Sequence, residues 1–390
     1  MSIKIASKGT IMILKRDLQK NIERWLFKGK IIIIYGARQV GKTTLVKTLL
    51  EKFDCQDSYF NCEIIQVRQE LEKKDPLTIK KFLGEGKIIV LDEAQRIPDI
   101  GMVLKIIIDS YPDIQIVATG SSSFDLSNKV KEPLTGRSLE FILYPFSLNE
   151  LMQIYKEWEI VGQLENILRF GTYPEIILAD QKEARVLLDD LASKYIYKDI
   201  LEFENLKRSD LIIKLLQMIA FQIGNEVSTH ELATVLGTSR KTIDRYIDLL
   251  EKAFVIFRLR AFSRNLRKEI NKKQKIFFYD TGIRNSLLNK YGQIEYREDT
   301  GSLWENFLVI ERLKLLQRLE VRKNIYFWKT HDKKEIDYIE EIDGNISGFE
   351  FKWGKKKFNI PKIFLKTYKN STVEMVNKDN YLDFLLNRKK

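Results

Sequence analysis

The chain has 390 residues, 44% of them hydrophobic and 31% charged, with a formal net charge of +12. That composition excludes a disordered chain, and no apolar run approaches the roughly 18 residues of a spanning helix. Cys55, Cys62, His230 and His331 are too few and too scattered for a disulfide framework or a zinc site. At roughly 100 to 200 residues per domain the length predicts two to four domains. The positive balance favours polyanionic partners, although an Ile- and Lys-rich chain is also basic for solubility. The N-terminal stretch MSIKIASKGTIMILKR lacks a continuous apolar region, so a cytoplasmic location is expected.

The first strong element is KIIIIYGARQVGKTTLVKTLLEKF: an apolar strand, Ile31 to Tyr35, a glycine loop, then a helix from about Lys42. Gly36-Ala37-Arg38-Gln39-Val40-Gly41-Lys42-Thr43 matches the phosphate loop GxxxxGK[ST], and Thr44 follows it. Backbone N–H groups of such a loop surround phosphates, Lys42 reaches the β and γ groups, and Thr43 holds Mg²⁺. A second buried-type strand, KIIVLDEAQ, carries Asp92 and Glu93 at its C-terminal end, where ligands sit in open α/β sheets. Asp92 is expected in the Mg²⁺ shell, and Glu93 as the group that polarises a water for in-line attack. The strand Ile114 to Ala118 ends in hydroxyls; Thr119 or Ser121 either bonds the attacking water or γ-phosphate, or belongs to a serine-rich turn. A further strand, Leu139 to Tyr144, follows Arg137, a candidate for neutralising transition-state charge in cis or from a neighbouring subunit.

GARQVGKTT, VLDEAQ, ATGSSS and LTGRS together resemble the AAA+-like branch of P-loop ATPases, in particular bacterial and archaeal ATP-binding proteins whose core precedes a domain of poorly defined function. The resemblance implies a five-stranded parallel sheet in which the Thr119 strand separates the Asp92 strand from the phosphate-loop strand. It also places Arg137 where such proteins keep an arginine finger, which implies a homo-oligomer. Nothing resembling the guanine-specifying NKxD element follows the core, so ATP with Mg²⁺ is the expected cofactor pair.

From Ser147 to about Phe203 the periodicity is helical, broken at RFGTYPEII by Gly171 and Pro174. This fits a helical lid. Gly171, Tyr173 and Pro174 match a GxYP element of the family and are read as a turn on the core, and Arg169 is a candidate for nucleotide contact. In VSTHELATVLGTSRKTIDRYIDLLEKAFVIFRLRAF, Ser228 with Glu231 is a capping box, Gly237 ends the helix, and Ser239 caps a second helix. Ile243, Ile247 and Leu250 form its buried stripe, leaving Arg240, Lys241, Thr242 and Arg245 to face a DNA major groove. VIFRLRAF and KIFFYD read as a wing, whose basic residues Arg264, Arg267 and Lys268 extend the footprint for phosphates. The alternative is a winged helix that serves as a lid or a protein dock.

The last hundred residues read as a helix over GSLWENFLVIERLKLLQ, strands IYFWKT and EIDYIEEI, a turn at Asp343-Gly344-Asn345, strand ISGFEFKWG, a helix from about Ile360 and strand TVEMV. This αβββαβ order is that of the PD-(D/E)xK, restriction-endonuclease-like fold. Asp337 and Glu350, with Glu305 on the helix, are expected to converge on Mg²⁺, and Lys352 to orient the attacking water. Phe349, Phe351 and Trp353 then face inward. LWEN, EID and EFK resemble the C-terminal domain of the same family, although Ile336 stands where the proline of the motif would be. Such folds also serve for binding alone, or the Glu-Lys face is merely solvated.

The expected class is therefore α/β and multidomain: a P-loop ATPase core with an AAA+-like parallel sheet (residues 1–147), a helical lid (148–205), a winged helix (206–290) and a restriction-endonuclease-like domain (291–390). The expected function is an ATP-hydrolysing switch that couples nucleotide state to a DNA-binding winged helix and a nuclease-like module. A regulator that holds ATP without productive turnover, and a Mg²⁺-dependent nuclease licensed by ATP, are the alternatives.

Overall fold

The computed structural model describes residues 5–7, 10–12, 14–121, 134–195, 209–262, 274–330, 332, 334–354 and 358–388. Strands β1 (Ile5–Ser7) and β2 (Thr10–Met12) pair as an antiparallel hairpin ahead of the helix Asp17–Trp25. The next strands are β3 (Ile31–Tyr35), β4 (Tyr59–Asn61), β5 (Ile88–Asp92), β6 (Gln115–Gly120) and β7 (Ser138–Ile142). They form one parallel sheet in the order β4-β5-β6-β3-β7. β3, β5 and β6 are buried at every position, as strands covered on both faces by helices must be. β6 lies between the strand of Asp92 and the strand of the phosphate loop, the order that the resemblance implies.

After β7, Ser147 and Glu150 form a reciprocal capping box that opens the helix Leu148–Leu151. The helices Glu157–Phe170, Gln181–Tyr195 and Ser209–Phe221 follow. Then come β8 (Glu226–Val227), the helices Thr229–Val235 and Arg240–Lys252, β9 (Ile256–Ala261) and β10 (Gln274–Phe278). Ser228 and Ser239 accept the N–H groups of Glu231 and Thr242, and Ile243, Ile247 and Leu250 are fully buried, as their spacing predicts.

The helix Thr300–Arg318 precedes β11 (Asn324–Lys329), β12 (Glu335–Ile342), β13 (Asn345–Phe351), the helix Lys362–Thr367 and β14 (Ser371–Val376), followed by the helix Tyr381–Leu386. Asp343 and Gly344 both take positive φ, 50° and 79°, which matches the twist of the β12–β13 hairpin. Phe349 and Phe351 are buried against Tyr338 and Phe384, and Trp353 packs edge-on to Trp304. The strands on both sides of residue 290, where the sequence reading divides the chain, belong to one seven-stranded sheet, β14-β13-β12-β11-β9-β10-β8. β11 runs parallel to β9, pairing Tyr326 with Arg260 and Phe327 with Ala261.

The helix Thr300–Arg318 also reaches back to the first sheet. The amide of Gln317 donates to the carbonyl of Ile142 (2.6 Å), Lys314 Nζ donates to the carbonyl of Phe146 (2.9 Å), and Glu311 accepts the N–H of Leu148 (2.8 Å). Asn21 donates to the carbonyl of Gln317 (3.0 Å).

Candidate functional site

Gly36 leaves β3 with φ of 155°, and a Cβ on it would collide with the carbonyl of Leu143. Gly41 is left-handed (φ 98°) and opens the helix Lys42–Lys52, and Gln39 between them also has positive φ, 59°. The loop therefore bends back on itself and aims the first N–H groups of that helix outward, where they favour an anion. Ala37 and Val40 are buried, Arg38 and Thr44 half-buried, and Gln39 exposed. Lys42, only 5% exposed, is held inside the loop by the carbonyls of Gly36 (2.8 Å) and Ala37 (3.0 Å). Leu14, Lys15, Thr44, Leu45, Thr48 and Phe146 line a mainly apolar cleft beside Gly41.

Asp92, at the end of β5, accepts three hydroxyls: Thr43 (2.8 Å), Tyr59 (2.5 Å) and Thr119. Burial and the Asp92 carboxylate push the Tyr59 phenol far above its usual range, so it stays a donor. The neighbouring Cys62 thiol is pushed up to about 12 by burial, then by Asp92 and Glu93, which makes it inert. Glu93 has φ of 55°; its carboxylate accepts the amide of Gln95 (2.5 Å), which also donates to Ser121 (3.1 Å). Thr119 accepts the N–H of Glu93 (3.1 Å) while donating to Asp92. Its hydroxyl thus ties the Asp92 carboxylate to the backbone of Glu93. Thr43 and Asp92, two oxygen ligands side by side at the mouth of the phosphate loop, fit a Mg²⁺ ion.

Arg137 stands elsewhere. It precedes β7, so it lies at the opposite end of the parallel strands, about 20 Å from Gly36 at ~3.3 Å per residue, and pairs with Asp109 (2.9 Å). It cannot act on the nucleotide of its own chain. Arg169 donates to the carbonyl of Tyr291 (3.0 Å) and stacks on Phe170. The GxYP turn packs as expected: Gly171 is left-handed (φ 76°) against the Asp280 carboxylate, which accepts the N–H of Thr172 (2.8 Å), and Phe146 N–H donates to the carbonyl of Thr172 (3.0 Å).

Arg240, Lys241 and Arg245 are exposed along the helix Arg240–Lys252, and Thr242 is half-buried at its cap. Arg240 pairs with Asp244 (3.5 Å). Arg264, Arg267 and Lys268 lie outside the described residues.

Of the three ligands expected at the second sheet, Glu305 and Asp337 converge on an ammonium, while Glu350 pairs with Lys352. Lys275 of β10, 1% exposed, places Nζ 2.7 Å from Glu305, 2.6 Å from Glu335 and 3.8 Å from Asp337. Lys352 pairs with Glu350 (2.5 Å) instead of standing free to orient a water. Asp337 also accepts the N–H of Phe351 (2.8 Å). Burial opposes the charge of Lys275, but Glu305, Asp337 and Glu335 outweigh it and raise its pKa. Burial pushes Glu305 up to about 8 and, with Asp337, Glu350 to about 7. Asp337 is raised by burial as well. Among the described residues no group of three or more carboxylates, histidines or cysteines has the geometry to hold a metal ion. The expected Mg²⁺ ligands thus do not fit the ion as arranged, because Lys275 already supplies a positive charge beside Glu305 and Asp337, and Lys352 one beside Glu350. Lys275, Glu335 and Tyr59 escaped the sequence reading; the one sign of Lys275 was a charge inside an apolar strand, QKIFF.

Comparison with known proteins agrees with the first site. Residues 28–152 match the family described as "AAA domain", residues 161–293 match domain of unknown function DUF8612, and residues 300–381 match domain of unknown function DUF4143. The chain is similar to an uncharacterized protein of Mycobacterium tuberculosis, 26% identical over 88% of this chain and 74% of that one. A Haemophilus influenzae protein is 24% identical over 92% of this chain and 89% of its own length. The structure of AMPPCP-bound DnaA from Aquifex aeolicus is 17% identical and covers 60% of this chain and 86% of its own, with a TM-score of 0.27, too low to carry an argument. No helix among the described residues is long and apolar enough to cross a membrane. With the phosphate loop, the strand order and the acidic strand end in place, residues 28–152 are an AAA-type, P-loop ATPase-like domain at the head of the chain.

Proposed function

We propose that the protein is an ATP-hydrolysing switch whose nucleotide state positions a DNA-contacting winged helix and a nuclease-like module. The observation that carries this is the meeting of Lys42, Thr43, Asp92 and Glu93 at one end of the parallel sheet. Lys42 exchanges its loop carbonyls for β- and γ-phosphate oxygens when ATP enters, and Glu93 polarises the attacking water. Thr43 and Asp92 would hold a Mg²⁺ ion, which would supply neutralisation of the phosphate charge. Arg137 completes the site only from a neighbouring subunit, since its own loop is out of reach. Phosphate release from ATP should be lost in both Lys42→Ala and Glu93→Gln; undiminished turnover by both variants would remove the enzyme reading.

The grip of Gln95 on Glu93 favours a second reading, a regulator that holds ATP without productive turnover. It predicts nucleotide-dependent DNA affinity that survives Glu93→Gln. Exposed Arg240, Lys241 and Arg245 support DNA contact in either case. For the nuclease-like module, the ammonium of Lys275 among its carboxylates favours binding over metal-dependent cleavage. Nicking of plasmid lost in Asp337→Ala would favour cleavage instead.

A further inference from the structure

Arg16 precedes Val40 of the phosphate loop by 24 residues and lies against it in space. It is 8% exposed, and each of its guanidinium nitrogens has its own acceptor. Nη1 donates to the carbonyl of Val40 (2.6 Å), Nη2 to the carbonyl of Tyr144 (2.6 Å), and Nε to the carboxylate of Glu150 (2.9 Å). Phe146 covers the guanidinium, its ring centre 4.8 Å from Cζ. Glu150 is itself fixed, since it also accepts the N–H groups of Asp17 (2.7 Å) and Ser147 (2.9 Å).

The acceptor in the loop decides what this fork does. The carbonyl of Val40 and the N–H of Gly41 belong to one planar trans peptide, so the two point in opposite directions. A guanidinium that draws the carbonyl toward the protein therefore turns the N–H of Gly41 toward the anion cradle. Gly41 is left-handed and has no Cβ, so its own backbone restrains this peptide less than that of any other residue would. Arginine suits the task because its charge persists at any working pH and its planar fork meets three acceptors at once.

We propose that Arg16 is a positioning residue for nucleotide binding: it presets the Val40–Gly41 peptide for the β-phosphate and ties the loop to the segment that leaves β7. The inference rests on the ATP reading above, and the experiment separates the two. In the full-length protein, calorimetric titration of the wild type with ADP must show saturable binding; its absence sinks the nucleotide reading. Given that binding, Arg16→Met should weaken ADP by about tenfold or more, and KM for ATP should rise by a larger factor than kcat at saturation falls. A folded Arg16→Met with ADP affinity within about twofold of wild type, or with kcat alone reduced, overturns the proposal. If Arg16→Met does not fold, Glu150→Gln carries the test, because it loosens the fork and keeps the arginine. Hydrogen exchange across residues 36–44 should then speed up in the nucleotide-free protein, and unchanged exchange there also overturns it.

Discussion

Replacing Lys275 with methionine tests whether an ammonium organises the second sheet. The side chain is 1% exposed, with carboxylate contacts at 2.7 Å and 2.6 Å and a third carboxylate at 3.8 Å. Breaking a buried ion pair by removing one partner costs roughly 3 to 5 kcal/mol, because the other charge is left uncompensated. The carboxylates relieve part of that by taking up protons. Glu305, pushed up to about 8 by burial even with Lys275 beside it, already holds its proton at pH 7 and so adds little to the loss. Glu335 is different: burial would raise it, but Lys275 and Lys329 hold it below the ordinary value. Lys329 stays within 2.9 Å of it after the substitution. The expected loss at pH 7 is therefore near the lower bound, about 3 kcal/mol. Urea unfolding followed by tryptophan fluorescence reports it, since Trp304, Trp328 and Trp353 all lie in this unit. With a slope of about 2 to 3 kcal/mol per molar, the midpoint falls by about 1 M or more. Adding Glu335→Gln to Lys275→Met should recover about 1 kcal/mol or more through their coupling. A midpoint for Lys275→Met equal to that of the wild type would refute the reasoning, and so would full additivity in the double variant.

Gly171→Ala should cost at least about 2 kcal/mol, measured by thermal melting, because its φ of 76° is left-handed and a Cβ would displace the buried Asp280 carboxylate. Stability should fall as pH rises from about 5 to 8, by up to about 1.4 kcal/mol per pH unit for each group. Glu305 and Glu350 hold protons in the folded state up to about 8 and 7 against an ordinary 4.5, so the unfolded chain binds fewer protons across that window. Glu305→Gln should flatten the slope, and a melting temperature independent of pH would contradict it. Joint replacement of Arg240, Lys241 and Arg245 by alanine should weaken duplex binding and reduce the slope of log K against log salt by about 2 to 3; an unchanged slope places the DNA contact elsewhere.

The first site was legible because its parts are contiguous in the chain. GARQVGKTT supplies loop, ammonium and hydroxyl in one run, and VLDE places two carboxylates where a buried strand must end. The αβββαβ element order was legible for a similar reason: each strand shows its own apolar pattern, and Asp343-Gly344 marks its own turn. What escaped were partners distant in sequence. Arg16 meets Val40, Tyr144 and Glu150, and Lys275 meets Glu305 and Glu335, and no local period records such pairs. The same holds for Arg137: a Gly-Arg dipeptide before a strand does not say which end of the sheet faces the nucleotide, whereas strand direction does. The β9–β11 pairing was equally hidden, since two strands some sixty residues apart carry no mark of being neighbours.

The helix Thr300–Arg318, about 28 Å long at 1.5 Å per residue, limits how the molecule can be dissected. Its early turns present Glu305 to Lys275, and its later turns satisfy the carbonyls of Ile142 and Phe146 and the N–H of Leu148. A fragment that stops short of this helix would bare those backbone groups on the N-terminal half, each at roughly 1 to 3 kcal/mol if left without a replacement. The two halves are thus better regarded as inherited together than as interchangeable cassettes, and a graft of either onto another chain must bring this rod along.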